Sequence, residues 1–170
     1  MLREHAAGDY VTYRQNGICR IKGIVKQNFP AVGEAEYYEL TPVYDEKTVI
    51  FVPLGSDQLR SQMRHILTKE EIEGVITGVE NDDNLWIDDT KERAHIFGDI
   101  LQGGDRGKIL LMIKELSLYK KKLENDKRKL YASDAKLLSS AEKIITEEFS
   151  FVLGIGREEV IPYILNKIGK

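Results

Sequence analysis

The sequence predicts an α+β protein in two domains, a small antiparallel β unit over residues 1–66 and an all-α unit over residues 67–170. Three observations point there. The opening third alternates apolar and polar residues in short runs separated by turn residues. At Thr68 the spacing changes to the helical period and does not change back. No internal repeat or low-complexity tract asks for a different architecture.

The strands come first. "DYVTYR" sets Tyr10, Thr12 and Arg14 on one side and Val11 and Tyr13 on the other. "ICRIKGIVKQ" keeps Ile18, Ile21, Ile24 and Val25 apolar, and Gly23 marks a bulge within it. "EYYELTPVY" and "KTVIFVP" complete the set. The breaks fall at Asn16-Gly17, from Phe29-Pro30 through Gly33, and from Tyr44 to Lys47. Short strands joined by tight turns read as a strongly bent antiparallel sheet or a partly closed barrel. So small a unit buries little and leaves sheet edges, which invite a docked partner or a second domain.

The helices follow. In "TKEE" Thr68 caps a helix and Glu71 reaches back, and the helix continues through Ile72, Val75 and Ile76 to about Gly78. A second starts near Asp88 or Asp89, carries Ala94, Ile96, Phe97, Ile100 and Leu101, and ends at Gly103-Gly104. Asp105 caps a long third helix with Ile109, Met112, Ile113, Leu116 and Tyr119. A fourth opens at Tyr131 or Ser133, turns Leu137, Leu138, Ala141, Ile144, Ile145 and Phe149 inward, and stops at Gly154. The last, "REEVIPYILNKI", should lose one hydrogen bond at Pro162 and bend there.

Composition bounds the function. With 42% hydrophobic and 31% charged residues the chain is globular, and a net charge of −3 does not by itself announce nucleic acid. The single cysteine, Cys19, excludes an internal disulfide and a cysteine-based zinc site; inside a strand it reads as a small buried residue. No apolar run is long enough to span a membrane, and "MLREHAAGDY" lacks a signal-peptide core, so a cytoplasmic protein is expected. Charge is nonetheless uneven. Residues 106–136 hold ten basic and four acidic side chains, a local +6, and an anionic partner should meet this segment.

Signals of catalysis are weak. His5, His65 and His95 fall on different elements without ligand spacing, and no phosphate loop, GxGxxG or GxSxG occurs. Asp82, Asp83, Asp88 and Asp89 lack the alternation and downstream Glu of a calcium loop, and read as a solvated loop and a helix start. No enzyme, metal, cofactor or small-molecule substrate is expected. Two features keep two readings each. The run "YKKKLENDKRK" is either a solvated helix face or a phosphate-contacting surface that includes Lys120, Lys121 and, further on, Lys136. The lone tryptophan, Trp86, either seals the margin of the helical core or is a planar wedge presented to a base step.

The ordered series "GDYVTYRQNGICRI", "YYELTPVY", "VIFVP", "LTKEE", "LWIDDTKER", "GDRGKILLMIKELSLYKKK" and "SDAKLLSSAEKIITEEFSFVLGI" resembles the CarD family of bacterial transcription regulators over nearly the whole chain. In Asn16-Gly17-Ile18-Cys19 and the Leu40-Thr41-Pro42 turn the chain resembles the version found in clostridial-type bacteria. The resemblance implies a Tudor-like N-terminal domain that binds the β subunit of bacterial RNA polymerase, a module shared with the transcription-repair coupling factor. It implies a helical domain that reaches upstream promoter DNA without reading sequence and stabilises the open promoter complex. Trp86 falls on the family tryptophan that wedges into the minor groove at the bubble edge, and Lys91 on a basic DNA-contacting position.

The chain departs from the family pattern in two places. Asp88 and Asp89 stand where many members carry two arginines, which leaves Lys91 and Arg93, one turn on, to compensate. Phe51 stands where a basic residue usually faces polymerase, so the second to fourth strands carry over as the contact region, with Gln27, Tyr38 and Phe51 as picks. Physically, a wedge occupies space that the closed duplex needs, and about 1.4 kcal/mol shifts the opening equilibrium tenfold. Polymerase docking supplies effective concentration, so an acidic protein with feeble DNA affinity of its own can still act. The alternative is a polymerase- or protein-binding module with no direct DNA role.

Overall fold

A computed structural model describes residues 5–80 and 85–167, which form two compact units, one up to Ile66 and one from Leu67 onward.

The first unit is a five-stranded antiparallel sheet of β1 (Tyr10–Tyr13), β2 (Ile18–Phe29), β3 (Gly33–Pro42), β4 (Ile50–Pro53) and β5 (Met63–His65), in the order β4-β3-β2-β1-β5. Alternation decides the faces. Val11, Tyr13, Cys19, Ile21, Tyr38, Leu40, Val52 and Met63 meet in one core. Tyr37 and Phe51, one residue out of phase with Tyr38 and Val52, project from the opposite face and meet Phe29 and each other in edge-on or tilted ring contacts, with centroids 5.3 to 6.0 Å apart. The bulge expected at Gly23 is present, as a register shift between Ile21 and Gly23, and Gly23 has φ 150. Gly17 (φ 73, ψ −147) takes a backbone conformation closed to other residues, and the turn before β2 depends on it.

Two elements had no periodic signal. Helix α1 (Asp57–Ser61) is a single turn capped by Ser56, whose Oγ accepts from the Leu59 N–H at 3.2 Å, and β5 is three residues long. Among the described residues the strand order is open, with β4 and β5 at its edges, and α1 contacts both of them.

The second unit holds α2 (Lys69–Glu80), α3 (Thr90–Gly103), α4 (Arg106–Asn125), α5 (Ala132–Leu153) and α6 (Arg157–Lys167). The capping box forms in both directions: the Glu71 N–H donates to Thr68 Oγ1 and the Thr68 N–H to Glu71 Oε1, each at 3.1 Å. Helix α2 runs past Gly78 to Glu80, because Val79 is buried and its packing outweighs the glycine's low propensity. Asp89 caps α3 and Asp105 caps α4, while Gly104 and Gly154 close α3 and α5. Helix α5 follows Tyr131, and α6 runs through Pro162; Ile168 lies outside the described residues. Ile72, Ile76, Phe97, Ile109, Met112, Leu116, Ala141, Ile145, Phe149 and Val160 make the core. The Tyr163 hydroxyl donates to Glu73, joining α6 to α2.

Two buried ion pairs cross this core. Arg93 grips Asp134 through Nε–Oδ1 at 2.9 Å and Nη2–Oδ2 at 2.7 Å. Arg106 grips Glu148 through Nε–Oε1 at 2.8 Å and Nη2–Oε2 at 3.0 Å, and Glu148 also accepts the Leu67 N–H at 3.0 Å. Both carboxylates sit on α5, so this helix is tied to α3 near one end and to α4 and the start of the unit near the other.

Candidate functional site

The segment entering α3 carries the most chemistry. Leu85, Trp86 and Ile87 are half-buried and pack on the helical core, and the next residues turn into α3 through the Asp89 cap, whose Oδ1 accepts the Glu92 N–H at 2.8 Å. Trp86 packs on the helical core, as a seal at its margin would, and is only half-buried. Its Nε1–H donates to Asp88 Oδ1 at 3.0 Å. Asp88 and Asp89 are thus employed locally, one on the indole and one on the helix. Asp82 and Asp83, the other half of the acidic cluster, lie outside the described residues.

Behind the ring stand Tyr119 of α4 and Arg93 of α3. The Trp86 and Tyr119 centroids are 4.6 Å apart at 43°. The Arg93 guanidinium carbon lies 4.6 Å from the Trp86 centroid and 5.4 Å from that of Tyr119. If Arg93 and Tyr119 sandwiched the indole, their separation would approach the sum of their two distances from it, so they stand on the same side. Arg93 Nη1 also donates to the backbone carbonyls of Ile87 at 2.8 Å and Asp88 at 3.2 Å. The Asp134 carboxylate bonded to it holds the Arg93 pKa above its usual value, against the opposing effect of burial.

This corrects the reading of Arg93 as a DNA contact. It is 1% exposed and all of its reach is inward. Lys91 is exposed. Two residues along a helix turn the side chain by about 200°, so the pair cannot share a face. Lys120, Lys121 and Lys136 are likewise exposed, and Lys136 stands two residues from the buried Asp134. Lys122, also exposed, comes three residues after Tyr119 and so lies nearer that face of α4 than Lys121 does.

In the β unit, Gln27 and Phe51 are half-buried and share the face of the Phe29–Tyr37–Phe51 cluster. Tyr38 does not. It is 5% exposed in the core on the other face, and its hydroxyl accepts the His5 N–H at 3.4 Å, which corrects its place among the polymerase contacts. Parity along β3 would have separated it from Phe51, since Phe51 stands opposite Glu39.

Among the described residues no group of His, Cys, Asp and Glu side chains is placed to hold a metal ion, and no helix is long and apolar enough to cross a membrane.

The fold and site together define a class: a two-unit α+β protein with an antiparallel N-terminal sheet and a helical unit that displays a stacked tryptophan. Residues 6–67 match the CarD-like/TRCF RID domain family, a family of RNA polymerase-interacting domains built for protein interaction and not for catalysis. The match covers the whole described sheet. No curated protein matches the chain.

Proposed function

We propose that this protein is a transcription regulator that docks on the β subunit of bacterial RNA polymerase and stabilises the open promoter complex. In this reading Trp86 is the sequence-independent DNA contact, placed at the upstream edge of the melted bubble. The observation that carries it is the match of residues 6–67 to an RNA polymerase-interacting domain. The half-buried Phe51 and Gln27, beside an aromatic cluster on one sheet face, are the candidate polymerase contacts. A ring backed on one side and partly exposed suits an aromatic wedge, whose energetic task is to oppose restacking worth a few kcal/mol. Lys91, Lys120, Lys121 and Lys136 are exposed to meet phosphates. The work is done in the cytoplasm, and it requires no cofactor.

The test joins capture of the polymerase β subunit to the lifetime of promoter complexes under competitor challenge. Trp86→Ala should leave capture intact and shorten the lifetime about tenfold, equivalent to about 1.4 kcal/mol of open-state stabilisation. Absence of capture would overturn the docking; an unchanged lifetime would overturn the wedge.

A second reading is favoured by the exposed Asp88 and Asp89 beside Trp86, whose charges oppose phosphate. Here the protein docks and does not touch DNA. Loss of stimulation in Lys91→Glu with docking intact counts against it, and a promoter footprint unchanged by the protein supports it.

A further inference from the structure

We infer that Arg93 and Tyr119 form a platform that positions Trp86, with Arg93 locked by Asp134. The inference rests on Trp86 being the DNA contact, and it assigns a working role to residues that would not themselves touch DNA. A wedge acts only if its ring is held at a fixed angle; a tryptophan on a free loop would spend binding energy on ordering itself. The loop before α3 holds the indole only at its edge, through Asp88, and leaves the face of the ring to be set by residues from elsewhere.

Arg93 supplies it in three ways. Its guanidinium carbon lies over the indole ring, 4.6 Å from the centroid. Its Nη1 ties down the carbonyls of Ile87 and Asp88, the two residues that follow Trp86. Its Nε and Nη2 are held bidentately by Asp134, so the platform cannot swing. Tyr119 closes the same side from α4. Two helices thus converge on one ring, α5 steadies one of them through Asp134, and the ring is also hydrogen-bonded at its edge by Asp88. Lysine would keep the charge and lose the fork, the plane and the paired carbonyl bonds.

Trp86 is the only tryptophan in the chain, so its fluorescence reports this geometry directly, with no partner present. In the full-length protein, Arg93→Lys should lower the fluorescence anisotropy of the indole and raise its quenching by acrylamide. Tyr119→Leu, which leaves the Arg93–Asp134 clamp in place, should do the same and covers the case in which Arg93→Lys fails to fold. With polymerase and promoter, each variant should shorten the open-complex lifetime toward that of Trp86→Ala, about tenfold at most. Neither should shorten it further in a Trp86→Ala background.

Unchanged anisotropy and quenching in a folded variant would overturn the platform. So would an equal loss of lifetime with and without Trp86, which would mark a structural role only. A Trp86→Ala protein with normal lifetime would instead remove the wedge reading, and the fluorescence would still decide the positioning.

Discussion

Glu147 and Glu148 are neighbours on α5, both within the packed unit, and their surroundings differ. Glu148 is met by a bidentate arginine, whereas Glu147 has Arg157 at 3.9 Å, itself largely exposed and screened. Burial therefore wins at Glu147 over Lys143 and Arg157, and pushes its carboxyl pKa up. The consequence has a sign. Between the ordinary carboxylate range and the raised value, the folded protein binds a proton that the unfolded chain does not, so stability falls as pH rises through that window. Glu147→Gln removes the buried charge. Its urea midpoint at about pH 7 should exceed that of the parent, and the gap should close as the pH is lowered to about 4. A midpoint below the parent's at neutral pH would show that the ion pair outweighs desolvation.

At the scale of elements, the helical unit is held by two kinds of polar device of unequal worth. The Thr68–Glu71 capping box is exposed and local, and Thr68→Ala should cost about 1 kcal/mol. Glu148 joins α5 to α4 through Arg106 and to the start of the unit through the Leu67 N–H. Glu148→Gln leaves the Arg106 charge nearly buried without its countercharge, at a cost of about 3 kcal/mol. Urea denaturation followed by circular dichroism at the helical band separates the two: the glutamine variant should show much the larger shift. The difference is one of legibility too. The capping box has a spacing of three residues and is readable along the chain, whereas Arg93–Asp134 and Arg106–Glu148 span 41 and 42 residues and leave no local trace.

Over the whole molecule, the net charge of −3 coexists with the +6 segment at residues 106–136, and Lys120, Lys121 and Lys136 within it are exposed. The free protein should bind duplex DNA feebly. Within the polymerase–promoter complex, replacing these three lysines by alanine should flatten the plot of log affinity against log salt by about 0.9 for each lysine that meets a phosphate. An unchanged slope would make the run a solvated face. Neither outcome alters the docking, which the proposal assigns to the sheet.

The sequence by itself determined the α+β order, the switch to the helical period at Thr68, the caps at Thr68 and Asp105, the start of α3 to within Asp88 or Asp89 and its end to within Gly103-Gly104, the stop at Gly154, and the bulge at Gly23. These rest on contacts between residues a few positions apart, where period and side-chain chemistry act directly. It did not show α1 or β5, which are too short to complete two periods of their pattern. Only the tertiary structure decided that Arg93 is buried beneath Trp86 while Lys91 faces outward, and that Tyr38 belongs to the core while Phe51 belongs to the opposite face. A basic residue near a tryptophan reads alike along the chain whether it faces phosphate or a carboxylate. What separated the two was Asp134, brought from 41 residues away by the packing of α5 against α3.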